Sequence, residues 1–148
     1  MANKDLRDWI KELEANGQLQ NVSGADHHEE IGAIVDIHMH KMTNPAVMFD
    51  DIPGFPKGHR VLANILTSVP RINIALGKPV DTTEIELVNY WREYMKDQPV
   101  HEPVEVNGGP LIENVFEGDD IDIMTIPAPK WHELDGGYFI GTACMVVM

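Results

Sequence analysis

PAPKWHELDGGYFIGT, residues 127–142, is the stretch whose reading decides this chain. Pro127 and Pro129, two apart, exclude a helix and force an extended approach. Trp131, His132, Glu133 and Asp135 then gather a large ring, donors and acceptors within five residues. Gly136 and Gly137 allow a sharp turn or a close approach of the backbone. Residues 138–148 are apolar and β-branched enough to predict a buried strand. A loop rich in functional groups that feeds a core strand is a common setting for a binding site. The plainer alternative is a tight loop whose tryptophan caps a core.

Outward from this stretch, the chain has 148 residues, 43% hydrophobic, with a formal charge of −13. That length suits one ordinary domain, or a small domain with part of another. The acidity excludes a phosphate-neutralising stripe for nucleic acid and an anionic membrane surface. The single cysteine, Cys144, precludes an internal disulfide and points to a reducing, cytoplasmic setting. No apolar run is long enough to span a bilayer, and the N-terminal apolar residues alternate with charges unlike a signal peptide.

Residues 4–16 predict an amphipathic helix, with Leu6, Trp9, Ile10 and Leu13 at helical spacing, Asn3 as cap and Gly17 as stop. Residues 18–23 predict a short strand. Residues 29–42 predict a second helix with Ile31, Ile34, Val35 and His38 on one side, broken by Asn44-Pro45. Strands follow at 46–49 and 60–65, and a short helix opens at Pro70 and ends by Gly77. Thr83 with Glu84 and Glu86 starts a helix to about residue 96, whose apolar residues are Ile85, Val88, Tyr90, Trp91 and Met95. Residues 99–110, with three prolines and Gly108-Gly109, predict a linker or crossover. Strands are then expected at 111–116 and 121–126. The fold class is therefore α/β (α+β): a small α/β domain over residues 1–98, then a β-rich segment from 111 to 148.

Few residues suggest chemistry by themselves. Asp36 and His40 share a helix face, but His38 diverges, and two ligands are too few for structural zinc. His132 and Glu133 are neighbours on an extended segment, so their side chains diverge; a structural or rim role is the better reading. Cys144 reads as an inert core thiol. Gly108-Gly109 lacks the strand-to-helix context of a phosphate cradle.

The ordered motifs resemble the UbiD family of prenylated-FMN-dependent (de)carboxylases. The match is carried by Pro127, Pro129, His132, Asp135-Gly136-Gly137 and Thr142, preceded by Gly118-Asp119-Asp120-Ile121-Asp122 and Ile126. Asp5-Leu6-Arg7, Leu13 to Leu19, Pro45 to Phe49, Val61-Leu62-Ala63-Asn64 and Ile74-Ala75-Leu76-Gly77 fall in the family's order. The resemblance implies that residues 111–148 open a split-β-barrel-like flavin-binding domain, left incomplete. It implies a carboxy-lyase that acts reversibly on an aromatic or α,β-unsaturated carboxylic acid, with the prenylated flavin as electron sink. It assigns Thr142 to flavin contact, and it implies a divalent metal (Mn or Mg) with K near the flavin phosphate.

The family's catalytic Arg/Glu/Glu set and its Asn, His and Glu metal ligands fall after the matched region. No catalytic or metal-binding residue is therefore assigned here, and the chain alone is expected to be inactive. An incomplete barrel would leave an open edge, so the partners expected are the remainder of the enzyme or another subunit, with homo-oligomerisation. Two other readings stand beside this one: a non-catalytic interaction or regulatory subunit of such a decarboxylase, and a plain flavin-binding module.

Overall fold

The helical spacing of Trp9, Ile10 and Leu13 is realised in α1, Leu6–Ala15, in the computed structural model, which describes residues 5–99, 102–109 and 112–139. Asp5, not Asn3, caps it, accepting from Arg7 N at 2.8 Å and Asp8 N at 3.0 Å. Those bonds, the one from Asp8 foremost, hold the Asp5 carboxyl below the usual carboxylate range. β1 (Leu19–Ser23) follows, then α2 (Glu30–Met39), β2 (Ala46–Asp50), β3 (Val61–Ala63), α3 (Val69–Ala75) and α4 (Glu84–Tyr94).

The three strands form one sheet in the order β1-β2-β3. β1 runs parallel to β2, with Leu19 opposite Ala46 and Ser23 opposite Asp50. A parallel pair needs a crossover, and α2 supplies it. β3 runs antiparallel to β2, with Val47 opposite Ala63 and Phe49 opposite Val61. β2 is central, and Ala46, Val47, Met48 and Phe49 are all buried, which is why its sequence is a continuous apolar run. Its side chains alternate between two cores. Val47 and Phe49 pack with Ile31 and Val35 of α2, whereas Ala46 packs with Trp9, Leu13 and Ile74 of α1 and α3. Each of the larger core side chains contributes about 1.5–3 kcal/mol by leaving water.

Several expected boundaries move for local reasons. The second helix begins at Glu30, not 29, because Glu29 adopts the left-handed conformation, φ 74°. The strand expected at 60–65 shrinks to three residues because Asn64 also turns left-handed, φ 57°. α4 is capped as expected: Thr83 and Glu86 bond reciprocally, and the hydroxyl and backbone bonds from Thr83 hold the Glu86 carboxyl below its ordinary pKa. Its apolar residues do not form a buried face, since Leu87 alone is buried while Ile85, Val88, Trp91 and Met95 are exposed.

The strands expected at 111–116 and 121–126 are not formed in their described parts. Single 3-10 turns stand at Gly118–Asp120 and Ile123–Thr125, and Val115, Phe116, Ile121 and Ile123 are exposed. The sequence competes with its own strand pattern here. The Asp122 carboxylate accepts from Met124 N at 2.9 Å and the Thr125 hydroxyl donates to Asp122 O at 2.7 Å, closing the chain locally. Tyr138 and Phe139, where the long final strand was expected to begin, are not in a strand. Residues 140–148, with Thr142 and Cys144, lie outside the described residues.

Candidate functional site: the loop after residue 127 and the cavity beside it

Residues 127–139 leave the exposed chain before them and return to α2. Pro127 and Pro129 keep the approach extended, and Lys130 then pairs with the residues just before the helix. Lys130 N donates to His27 O at 2.9 Å, and Glu29 N donates to Lys130 O at 2.9 Å, a short parallel bridge. The Lys130 ammonium, 15% exposed, reaches Glu29 Oε1 at 2.7 Å and Glu133 O at 2.8 Å. The Trp131 backbone then passes close over the helix at Gly32, whose missing side chain makes room for its carbonyl.

The loop closes on itself at both ends. Phe139 N donates to Pro129 O at 3.1 Å, and Trp131 Nε1 donates to Phe139 O at 3.0 Å. Within it, Asp135 Oδ2 accepts from His132 N at 2.9 Å, so His132 pairs with Asp135 and not with Glu133. At the exit, the Tyr138 ring stacks on His27 at 4.9 Å between centroids, and its hydroxyl lies 2.9 Å from His28 Nδ1.

Beside this loop is a cavity of about 650 Å3. Its walls are Val35 and Met39 of α2, residues 60–67 around β3, and Ile126, Pro127, Pro129 and Trp131. The walls are apolar apart from Arg60, Asn64 and Thr67. Asn64 is committed to structure, donating to Asn44 Oδ1 and Pro45 O at 2.7 Å each, while its own oxygen accepts from Thr67. Among the described residues no carboxylate or imidazole lines this space, so those walls suit an apolar group and supply no general acid or base.

The other candidates are dispersed. His38 is buried and its Nδ1 bonds Ile34 O at 2.8 Å; His40 Nδ1 bonds Asp36 O at 2.8 Å, so both rings are tied to their own helix. No group of three or more His, Cys, Asp or Glu gathers among the described residues. No helix among them is long and apolar enough to cross a membrane. Sequence reasoning missed Gly32, Lys130 and Tyr138 as the residues that seat the loop. Lys130 sits inside the quoted stretch, but nothing in the sequence names its distant partner Glu29.

The Glu29–Lys130 pair makes a pH signature. The hydrogen bond from Lys130, with its charge, holds the Glu29 carboxyl below its ordinary pKa. A depressed carboxyl contributes stability that is present above the unfolded glutamate value of about 4.3 and is lost as pH falls through the folded value. Lys130→Met is therefore expected to lower Tm by a few degrees at pH 7, with the deficit shrinking as pH falls from 5 toward 3. Thermal melts across that range check it; a deficit independent of pH would show that the pair does not carry the effect.

The fold and the loop define a mixed α/β unit of the kind that opens a family of carboxy-lyases. A family model described as 3-octaprenyl-4-hydroxybenzoate carboxy-lyase N-terminal domain matches residues 10–91, and one described as the Rift-related domain of the same carboxy-lyase matches residues 102–148. The chain belongs to the UbiD family. It is 31% identical over 146 residues to a pyrrole-2-carboxylic acid decarboxylase of Pseudomonas aeruginosa, covering 93% of this chain and 29% of that protein. It is 30% identical to a phenolic acid decarboxylase of Streptomyces sp. (strain D7), covering 99% of this chain and 31% of that protein. Among solved structures, the vanillic acid decarboxylase of Sedimentibacter hydroxybenzoicus in closed form superposes with TM-score 0.81 at 27% identity, over 93% of this chain and 29% of that one. Its open form gives 0.77, and the open form with truncated ShVdcD 0.79. The chain thus spans about three-tenths of the length of the relatives it matches.

Proposed function

We propose that this chain is the N-terminal part of a UbiD-type decarboxylase that acts reversibly on an aromatic or α,β-unsaturated carboxylic acid through prenylated FMN. The observation that carries the reading is the pair of family matches, in order, across nearly the whole chain. They also support a division into an N-terminal α/β unit (1–98), a connecting segment (99–110) and the opening of a flavin-binding domain (111–148). The relatives named as decarboxylases of pyrrole and phenolic acids support an aromatic acid as substrate.

The described residues do not themselves fit the cofactor. They gather no group of three or more metal-ligating side chains, and the cavity beside residues 126–131 offers a single cation, Arg60, in otherwise apolar or already bonded walls. Thr142 is the one residue of this chain that the reading assigns to flavin contact. The flavin phosphate, a divalent metal with K, and the groups that protonate product and orient substrate fall to chain outside the described residues. The partner that completes the site is then the remainder of the enzyme or another subunit, within a homo-oligomer.

The test compares the 148 residues alone with the intact protein, reading flavin absorbance and CO2 release from an aromatic acid. Turnover is expected only from the intact protein. Turnover by the 148 residues alone would overturn the placing of the chemistry elsewhere, and an intact protein that binds no flavin would overturn the cofactor.

A further inference from the structure

Asparagine followed by glycine is a labile dipeptide, because glycine has no Cβ to crowd its own nitrogen where the asparagine side chain can reach it. The sequence holds two, Asn16-Gly17 and Asn107-Gly108; each of its other asparagines precedes a residue with a side chain. The fold treats the two differently. Asn16 is the C-cap of α1, and its ψ of 9° turns the Gly17 nitrogen away from the Asn16 Cβ. Asn16 Nδ2 donates to Glu12 O at 2.8 Å, and Gly17 N donates to Glu14 O at 3.1 Å. Both reacting groups are thereby tied to the helix end. Asn107 lies within residues 102–109, which are exposed throughout and in neither helix nor strand. Among the described residues, neither its side chain nor Gly108 N has a hydrogen-bond partner. Beyond its chain neighbours, the nearest atom to where a Cβ on Gly108 would stand is Ile112 Cδ1, at 4.0 Å.

We propose that Asn107 is a site of spontaneous deamidation, whereas Asn16, in the same dipeptide, is protected by the end of α1. The Gly108 backbone nitrogen, giving up its proton, bonds to the Asn107 side-chain carbonyl carbon, and the side-chain nitrogen leaves as ammonia. The cyclic imide so formed takes up water and opens to aspartate or isoaspartate. Water is the only co-reactant, and nothing is oxidised or reduced. At Asn107 the ring closure needs only rotations of an exposed, unbonded segment. At Asn16 the Gly17 N–H must first leave Glu14 O and the peptide must turn out of the helix end, a local opening that precedes any reaction. The product sets a further carboxylate in a segment that already carries Glu102 and Glu105. In its isoaspartate form it also routes the backbone through the former side-chain carbon. Either change falls in the stretch that leads from the α/β unit toward the loop after residue 127.

The experiment is incubation of the intact protein at mildly alkaline pH, folded and in urea, with peptide mass mapping of the amide-to-acid conversion at both positions. In the folded protein Asn107 is expected to convert at least about tenfold faster than Asn16, the two hydrogen bonds of the helix end setting that ratio. In urea the two rates should come within about two- to threefold, because the dipeptide is the same and the helix end is gone. Gly108→Ala is expected to slow Asn107 about tenfold and to leave Asn16 unchanged, since the space around Gly108 accepts a methyl. Equal conversion of the two asparagines in the folded protein overturns the proposal, and would mean that other parts of the intact protein cover residues 102–109. A tenfold ratio that persists in urea overturns it as well, because the difference would then come from neighbouring residues and not from the fold.

Discussion

Gly32→Ala is expected to destabilise the protein by about 3 kcal/mol, although it adds a better helix former in mid-helix. On propensity alone the change would stabilise by up to about 1 kcal/mol, so the two expectations differ in sign. What decides between them is the loop. A methyl at position 32 would stand 1.9 Å from the Trp131 carbonyl oxygen, 2.6 Å from its carbon and 2.7 Å from its Cα. All three are backbone atoms, so no side-chain rotation relieves the clash. The Trp131 backbone is also pinned by its neighbour Lys130, which exchanges hydrogen bonds with His27 and Glu29. Either the loop peels from α2 or the helix shifts in its packing of Ile31 and Val35 against Phe49. Urea unfolding measures the loss, and a variant as stable as wild type would show that the loop does not rest on Gly32. A double-mutant cycle with Lys130→Met locates the strain: if it lies in the seated loop, loosening Lys130 first makes the alanine cost less.

That prediction marks where the sequence stops being legible. The α/β unit could be read because its signals are local. The 3.6 spacing of Trp9 and Leu13, the apolar run of β2 and the capping box at Thr83 each specify an element without reference to anything distant. Two of the missed boundaries share one cause, left-handed backbone at Glu29 and Asn64: glutamate gives no warning of it, and asparagine, though enriched there, adopts it only in some places. The strands expected between 111 and 126 failed for a different reason. Alternating apolar residues make a strand only where a neighbouring strand pairs with them, and the described residues offer none there. The candidate site was legible as a stretch but not as a place. Pro127 to Gly137 announces an unusual loop, yet its seat is Gly32, Glu29 and His28, about a hundred residues away. A glycine inside an apolar helix face looks like any other; its role exists only once Trp131 is laid on it.

Arg71 carries the second large effect, and its sequence context, V-P-R-I-N-I after the proline that opens α3, gives no sign of it. The side chain is 0% exposed, and its partners are neutral. Nε donates to Ile65 O at 2.9 Å, Nη2 to Thr67 Oγ1 at 2.7 Å, and Nη1 to Asn44 O. Burial pulls its pKa below the usual guanidinium value, so desolvation works against the fold while three acceptors work for it. A buried charge replaced by an apolar side chain of similar length is often neutral or stabilising, and Arg71→Met would be so if the acceptors found other donors. They have none to find at this corner. Asn44 and Asn64 both hold left-handed backbone, and the Asn64 amide is already spent on Asn44 and Pro45. Two half-buried carbonyls would lose their donor, at up to about 1–3 kcal/mol each where water does not replace it. Arg71→Met is therefore expected to cost about 3 kcal/mol, and Arg71→Lys about half that, since an ammonium reaches some of the acceptors but cannot fork across all three. Urea midpoints should fall in the order wild type, Arg71→Lys, Arg71→Met. A methionine variant of unchanged stability would mean that water reaches Asn44 O and Ile65 O. Residues 64, 65 and 67 also line the cavity beside residues 126–131, so the same substitution should loosen one wall of that space while the bonds of Lys130 to His27 and Glu29 stay in place.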